Sequence, residues 1–260
     1  MLSVTHLQKI YGSGPTAFEA LRDVDFSVRQ GEFVCLVGPS GSGKTTLLKN
    51  MAGLMTPTAG EVVVDGRRVA GPPKGLALVF QEYGRSLFPW LKVGQNVELP
   101  LKELRLSAAE RRQRVRDALE HVGLGANADS YPWQMSGGMQ QRAAIARAIA
   151  YQPKVLLMDE PFAAVDAQTR ADLEDLIRRI WDELGITTLF VTHDIDEAVY
   201  LAERVIVLSS SPTFVQREMI VDLPRERDQL TTRSLPRFAE LRHDLYAEIQ
   251  RAKVTTAPAV

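Results

Sequence analysis

Residues 38–45 read Gly-Pro-Ser-Gly-Ser-Gly-Lys-Thr and fit the pattern G-x-x-x-x-G-K-[S/T], a loop that wraps the phosphates of a nucleoside triphosphate. Its glycines can adopt positive φ, which turns backbone N–H groups inward and leaves room for a phosphate. The helix that opens at Lys44 adds its positive dipole end. Lys44 is expected to reach the β- and γ-phosphates, and the Thr45 hydroxyl to bind Mg²⁺. The predicted nucleotide-binding residues of this loop are Gly38, Pro39, Ser40, Gly41, Ser42, Gly43, Lys44, Thr45 and Thr46.

An acidic pair follows a second apolar run. Residues 155–158 are Val-Leu-Leu-Met, a buried-strand pattern, and Asp159 and Glu160 come next. Asp159 can hold Mg²⁺ and Glu160 can polarise a water for in-line attack on the γ-phosphate. The carboxyl ends of parallel strands are where an open sheet binds its ligand. Taken alone, the loop could be an ordinary Gly/Ser turn and the acidic pair a strand that ends in a turn. Their pairing favours phosphate chemistry.

Strand and helix patterns alternate along the chain. Apolar runs at 33–37, 76–80, 155–158, 186–191 and 205–208 predict strands of a largely parallel α/β sheet. Residues 4–7, 21–28 and 60–66 predict further strands, the last closed by an Asp-Gly turn. Residues 84–151 are helical and charged, and predict an inserted helical unit. We therefore divide the chain into 1–210 and a C-terminal extension, 211–260, with one predicted helix. That helix carries Phe238, Leu241, Leu245 and Ile249 on one face.

Composition excludes several classes of protein. The 260 residues carry 31 Lys and Arg against 32 Asp and Glu, a formal charge of −1, which gives no electrostatic drive towards nucleic acid. The one cysteine, Cys35, lies in an apolar run, so a disulfide framework is excluded and a reducing compartment is expected. The sequence shows no secretory signal and no run of apolar residues long enough to span a bilayer. Any role at a membrane must come through a partner.

Residues 131–142, Tyr-Pro-Trp-Gln-Met-Ser-Gly-Gly-Met-Gln-Gln-Arg, resemble the signature Leu-Ser-Gly-Gly-Gln of ABC-transporter ATPases. The other elements of that family follow in order: Gln81 after a strand, Asp166 after the acidic pair, and His193 ending the next strand. The resemblance covers about residues 1–210. It implies a P-loop ATPase fold with a mainly parallel core sheet, an antiparallel β subdomain and an inserted helical subdomain. It also implies ATP hydrolysis with Mg²⁺.

The resemblance assigns a second anion site to the signature. Ser136, Gly137 and Gly138 would close on ATP held by a second subunit, which gives a head-to-tail homodimer with two ATP molecules between its subunits. Asp166 would help to align the facing sites. Met135 and Met139 stand where the family has Leu and Gln, and Val165 where Leu is common. The serine and glycine donors are intact, whereas a contact that needs Gln at position 139 is in doubt.

Three further roles also come from the resemblance. Gln81 would sense Mg²⁺ and the attacking water, His193 would donate to the γ-phosphate, and Tyr11 would stack on adenine. Each has a plainer alternative: Gln81 as a polar strand end, His193 as a helix-entry residue, and Tyr11 as a packed aromatic. Catalytic roles are thus expected for Glu160, His193, Lys44 and Gln81, and Mg²⁺ contacts for Thr45, Gln81 and Asp159.

The segment after Gln81 resembles the nitrate/sulfonate/taurine group of importers. It includes Glu82 and the triplet Phe88-Pro89-Trp90, which would receive a short helix of a separate membrane permease. Trp90 could instead pack the insertion against the core. The partners implied are a second ATPase subunit, the permease subunits and, indirectly, an extracytoplasmic solute-binding protein. The location implied is the cytoplasmic face of the membrane, held peripherally.

Two other functions stay open on the sequence. A non-transport ABC ATPase of DNA repair would carry a long coiled coil between Thr45 and Ser136, and a ribosome-acting one usually carries two tandem units. A regulatory protein that binds ATP without turnover is the second alternative. The intact Lys44, Asp159, Glu160 and His193 weigh against it.

Overall fold

Ten strands form two sheets in residues 2–81 and 86–254, the part of the chain that the computed structural model describes. The strands are β1 (Leu2–Tyr11), β2 (Phe18–Val28), β3 (Phe33–Val37), β4 (Ala59–Val64), β5 (Arg67–Arg68), β6 (Leu76–Val79), β7 (Val155–Asp159), β8 (Thr187–Val191), β9 (Arg204–Leu208) and β10 (Val215–Ile220). The larger sheet has the order β10-β9-β3-β8-β7-β6. All its pairings are parallel except that of β10 with β9. The predicted mainly parallel core sheet is confirmed.

The smaller sheet is antiparallel, in the order β2-β1-β4-β5. β4 and β5 are joined by Asp65 and Gly66, with φ of 54° and 74°. Two consecutive residues at positive φ match the right-handed twist of a two-residue hairpin, which explains the Asp-Gly pair. The antiparallel subdomain implied by the resemblance is therefore present.

Seven α-helices complete the described part of the chain outside its 3₁₀ turns. They are α1 (Lys44–Met51), α2 (Val93–Glu98), α3 (Ala108–His121), α4 (Gly137–Ala150), α5 (Ala167–Leu184), α6 (Ile195–Leu201) and α7 (Pro236–Val254). α3 begins with a capping box in which Ser107 and Glu110 satisfy each other's backbone N–H groups. α5 ends at Gly185, whose φ of 60° allows a left-handed cap. Glu82 lies outside the described residues.

Strand β3 lies at the centre of two hydrophobic clusters, and each of its residues is fully buried. Phe33, Cys35 and Val37 face the cluster that holds α4 to α7, whereas Val34 and Leu36 face α1 and the antiparallel sheet. This alternation follows from the two-residue period of a strand. The sheet therefore brings the carboxyl end of β3 into a fixed position between two packed layers.

The C-terminal segment packs on the same core. Phe238, Leu241 and Leu245 of α7 are buried and Ile249 packs against them, as the predicted helix requires. Strand β10 was not predicted; its residues are mostly half-buried or exposed, as befits an edge strand. The division after residue 210 stays a prediction, and β10 extends the core sheet beyond it. No helix of the described residues is long and apolar enough to cross a bilayer.

Candidate functional site

The phosphate-binding loop joins β3 to α1, as the sequence predicts. Gly41 and Gly43 have φ of 77° and 76°, a region that glycine enters without strain. A Cβ on Gly38 would lie 2.9 Å from the Leu208 carbonyl oxygen, so the loop lies directly against the end of β9. The first N–H groups of α1 have no acceptor within the helix, which leaves them available to an anion.

Lys44 is 7% exposed and extends back under the loop. Its Nζ donates to the carbonyl oxygens of Gly38 and Pro39, at 3.1 Å each. Burial lowers the pKa of this ammonium group, and the carboxylates of Glu160 and Asp159 partly offset that decrease. The Lys44 ammonium group therefore lies at the base of the loop, where its hydrogen-bond acceptors are neutral carbonyl oxygens.

Glu160 lies where the predicted catalytic residues meet. Its Oε2 is 3.0 Å from His193 Nδ1 and accepts from Gln81 Nε2 at 3.4 Å. Its Oε1 is 4.0 Å from Lys44 Nζ. The backbone of Glu160 has φ of 42° and its N–H donates to the Val191 carbonyl at 3.0 Å, which ties it to the end of β8. A non-glycine residue at positive φ is uncommon and is found at functional sites.

Asp159 ends β7 and is 6% exposed. Burial raises the pKa of its carboxyl group, while a hydrogen bond from the Thr45 side chain acts in the opposite direction. The hydroxyl of Thr45 and the carboxylate of Asp159 are therefore adjacent. Oxygen donors of this kind are what Mg²⁺ prefers, and a divalent cation would compensate the buried negative charge.

A cavity of about 500 Å³ opens over the loop. Tyr11 and Glu160 lie on its wall together with His193. The Tyr11 hydroxyl is 3.1 Å from Thr46 Oγ1 and its side chain is part-exposed, so the ring is held at the rim. The described residues lining the cavity are Tyr11, Phe18, Ala20, Ser40, Gly41, Ser42, Gly43, Lys44, Thr45, Thr46, Glu160, His193 and Ser211. Sequence reasoning missed Phe18, Ala20 and Ser211, which no motif marks.

The signature residues are not among the lining residues of this cavity. Ser136 caps α4, and its hydroxyl accepts from Met139 N at 3.3 Å. Asp166 caps α5, accepting from Thr169 N at 2.9 Å, and these N–H bonds lower the pKa of its carboxyl group. The first turns of α4 and α5 are in contact. Gly138 of α4 lies so close to Thr169 of α5 that a Cβ added to Gly138 would be 2.6 Å from Thr169 Cγ2. Gly137 and Gly138 thus form an open helix N-terminus of the kind that binds anions.

The three tryptophans lie in different surroundings. Trp181 is 3% exposed and its indole N–H donates to the Gly31 carbonyl at 2.9 Å, so it is a packing residue. Trp90 and Trp133 are each 69% exposed. Trp90 lies against Phe88, with ring centroids 5.2 Å apart, and does not pack the insertion on the core. Phe88 and Trp90 thus form an exposed pair of aromatic side chains.

The geometry groups most of the predicted residues. Tyr11, loop residues 40–46, Glu160 and His193 line one cavity. Gln81 contacts Glu160, and Asp159 contacts Thr45. Ser136 and Asp166 lie at a separate pair of helix starts. The chemical roles assigned to these residues stay predictions.

Comparison with known proteins adds independent findings. The family model described as ABC transporter matches residues 21–163. The nitrate import ATP-binding protein NrtD of Synechocystis sp. is 48% identical over 87% of this chain and 85% of its own. The bicarbonate transport ATP-binding protein CmpC of Synechococcus elongatus is 41% identical over 97% of this chain, which spans 38% of CmpC.

A solved structure gives the same result for the fold. The dimeric, post-hydrolysis state of the ATP-binding cassette MJ0796, bound to ADP and Pi, superposes with a TM-score of 0.75 at 36% identity. The match covers 85% of this chain and 99% of that one.

Proposed function

The chain belongs to the ABC transporter ATP-binding family, and on that premise we propose that it drives import of a small anion, of the nitrate type, through a separate membrane permease. It binds and hydrolyses ATP as the ATP-binding subunit of an ABC importer. The observation that supports the ATPase role is the meeting of Glu160 with His193, Gln81 and Lys44 over the phosphate-binding loop, and the cargo class rests on the relatives.

ATP binding uses groups that the fold orients in and around the loop. Lys44 exchanges its two carbonyl acceptors for phosphate oxygens, and the N–H groups of the loop and of α1 supply further donors. Tyr11 lies at the rim of the cavity with Phe18, so the base stacks on one or both rings. ADP at the same loop keeps its β-phosphate contacts and loses those to the γ-phosphate.

Mg²⁺ fits the donors of this chain. We assign it to the Thr45 hydroxyl and the Asp159 carboxylate, with Gln81 near the attacking water. When bound, the ion neutralises charge on the phosphates. Burial raises the pKa of the Asp159 carboxyl group, and a bound cation would favour its charged form.

Hydrolysis requires a base beside the γ-phosphate, and Glu160 supplies it. Its carboxylate accepts a proton from the attacking water, whose oxygen bonds to the γ-phosphorus while the bond to the bridging oxygen breaks. His193 and Gln81 both contact Oε2 of Glu160 and so fix its orientation. His193 is 60% exposed at its side chain and can turn to the γ-phosphate when ATP arrives. The products are ADP and phosphate.

A second copy of the chain completes each site. The N-terminus of α4, with Ser136, Gly137 and Gly138, lies apart from the chain's own cavity and is free to meet the γ-phosphate held by the other copy. Asp166 lies beside it at the start of α5 and would align the two sites. ATP bound between the copies favours the closed dimer, and hydrolysis removes that preference.

The exposed pair Phe88 and Trp90 is the surface that we assign to the permease. The pair follows Gln81 by seven to nine positions in the sequence, and Gln81 contacts Glu160. Docking there holds the subunit at the cytoplasmic face of the membrane, and a solute-binding protein selects the cargo on the other side. The names of relatives include both nitrate and bicarbonate, so we assign small inorganic anions as the cargo class.

The experiment is reconstitution of this chain in vesicles with the permease with which it co-purifies. The assay measures ATP hydrolysis in vesicles with nitrate, bicarbonate, taurine or a neutral sugar, each with the solute-binding protein. Stimulation by a small anion supports the cargo class. Stimulation by the sugar alone contradicts the class and leaves the ATPase role intact.

A further inference from the structure

Residues 208–213 pack against the phosphate-binding loop and hold two of its carbonyl groups, and Ser211 of this segment also lines the cavity. The Ser211 hydroxyl donates to the Gly41 carbonyl at 3.0 Å, and the Thr213 hydroxyl donates to the Ser42 carbonyl. Leu208 contributes the carbonyl that lies against Gly38. This segment carries no nucleotide-binding motif.

The backing segment is itself fixed to the antiparallel sheet. The Thr213 N–H donates to the Ala20 carbonyl at 3.1 Å, and the Arg22 N–H donates to the Thr213 carbonyl at 2.8 Å. Thr213 is fully buried. A Cβ on Gly43 would lie 3.2 Å from the Ala20 carbonyl oxygen and 3.4 Å from Thr213 Oγ1, so the loop rests closely on this surface.

The direction of the held carbonyls decides where the loop N–H groups point. The Ser42 carbonyl and the Gly43 N–H belong to one trans peptide, in which they point in opposite directions. Thr213 holds that carbonyl, so the Gly43 N–H points away from Thr213, and Gly43 lines the cavity. The Gly41 carbonyl shares its peptide with the Ser42 N–H, which donates to the Pro39 carbonyl at 3.1 Å. Ser211 therefore steadies the turn at the front of the loop.

We propose that Thr213 and Ser211 are positioning residues for nucleotide binding, which orient the phosphate-binding loop before ATP or ADP arrives. The inference rests on the proposed function, because it concerns the same loop. An anion site whose donors are already oriented avoids the entropy loss of ordering them on binding. Loss of the Thr213 hydroxyl frees the peptide between Ser42 and Gly43 to rotate, and the affinity for nucleotide falls.

The test compares substitutions by calorimetric titration with Mg-ADP and Mg-ATP, well below the unfolding temperature. Thr213→Val keeps the branched shape and removes the donor, and we expect the Kd for ADP to rise about three- to tenfold. Thr213→Ser keeps a hydroxyl and should stay within about twofold of the wild type. Ser210→Ala is the matched control, because the Ser210 hydroxyl donates to the Ala252 carbonyl at 3.0 Å and not to the loop. We expect kcat at saturating ATP to change less than KM.

A purely structural role would lower the unfolding temperature of Thr213→Val and leave its Kd for ADP unchanged, and that result overturns the inference. An equal loss of affinity in Ser210→Ala also overturns it. If Thr213→Val does not fold, Ser211→Ala decides: about threefold weaker ADP binding supports the inference and unchanged binding refutes it. A wild-type protein that binds neither nucleotide refutes the proposed function instead.

Discussion

Replacement of Lys44 by methionine separates nucleotide affinity from stability. Lys44 is buried, and among the described residues its Nζ lies within hydrogen-bond distance of the carbonyl oxygens of Gly38 and Pro39. The ammonium group is poorly solvated in the folded chain because it is buried, and this burial lowers its pKa. Methionine keeps most of the buried aliphatic stem and removes the charge. The unfolding temperature without nucleotide should therefore stay within about 4 °C of the wild type.

The affinity for nucleotide should respond strongly. A hydrogen bond to a charged group contributes about 1.5 to 3 kcal/mol net, and each 1.4 kcal/mol is tenfold. The Lys44 variant should thus bind Mg-ATP about 10- to 150-fold more weakly. The substitution also removes the ammonium group that lies 4.0 Å from Glu160 Oε1. The Glu160 carboxylate then repels the γ-phosphate without a nearby positive charge, which weakens ATP binding further.

Calorimetric titration with Mg-ATP measures the affinity, and thermal unfolding without nucleotide measures the stability. Lys49→Met is the matched control, because Lys49 is exposed on the last turn of the same helix α1. The control should bind ATP as the wild type does. ATP binding by Lys44→Met within twofold of the wild type would refute the role given to this residue.

Three further predictions concern other parts of the chain. His193→Ala should lower the rate of phosphate release about 10- to 100-fold and leave the Kd for ADP within about twofold, because His193 contacts Glu160 rather than the loop; a normal rate would contradict this. Glu197 is buried and its pKa is raised to about 8 from an ordinary 4.5, so it destabilises the fold progressively as the pH rises from 4.5 to 8. The advantage of Glu197→Gln in unfolding temperature should therefore grow between pH 5 and pH 8, and a difference that is constant with pH would contradict it. Trp90→Ala should abolish co-purification with the permease and leave basal ATPase activity unchanged, since Trp90 is exposed and outside the cavity; retained co-purification would rule out this docking surface.

Local chemistry explains what the sequence could predict. A glycine-rich turn between a buried strand and a helix, and an acidic pair that ends a buried strand, each require particular residues at fixed spacing. The same is true of the Asp65-Gly66 hairpin, whose positive φ values leave little choice of residue. Such features are recognisable without knowledge of the tertiary structure.

Features that depend on long-range packing were missed. Phe18 lines the cavity because β2 pairs with β1 beside Tyr11, and Phe18 carries no local signal for this. Thr213 reaches the Ser42 carbonyl across 171 positions of sequence. β10 is an edge strand whose burial is partial, so its apolar pattern is weak. Sheet order and contacts between distant segments decide all three.

The most direct test of the account is the mass of Glu160→Gln in solution with Mg-ATP, measured by light scattering. Glutamine keeps the size of the side chain and removes the base, so ATP should bind without being hydrolysed. The account predicts a dimer with ATP, of twice the 28.9 kDa chain mass, and a monomer with ADP. A protein that stays at 28.9 kDa with ATP bound, or that hydrolyses ATP at the wild-type rate, would contradict it.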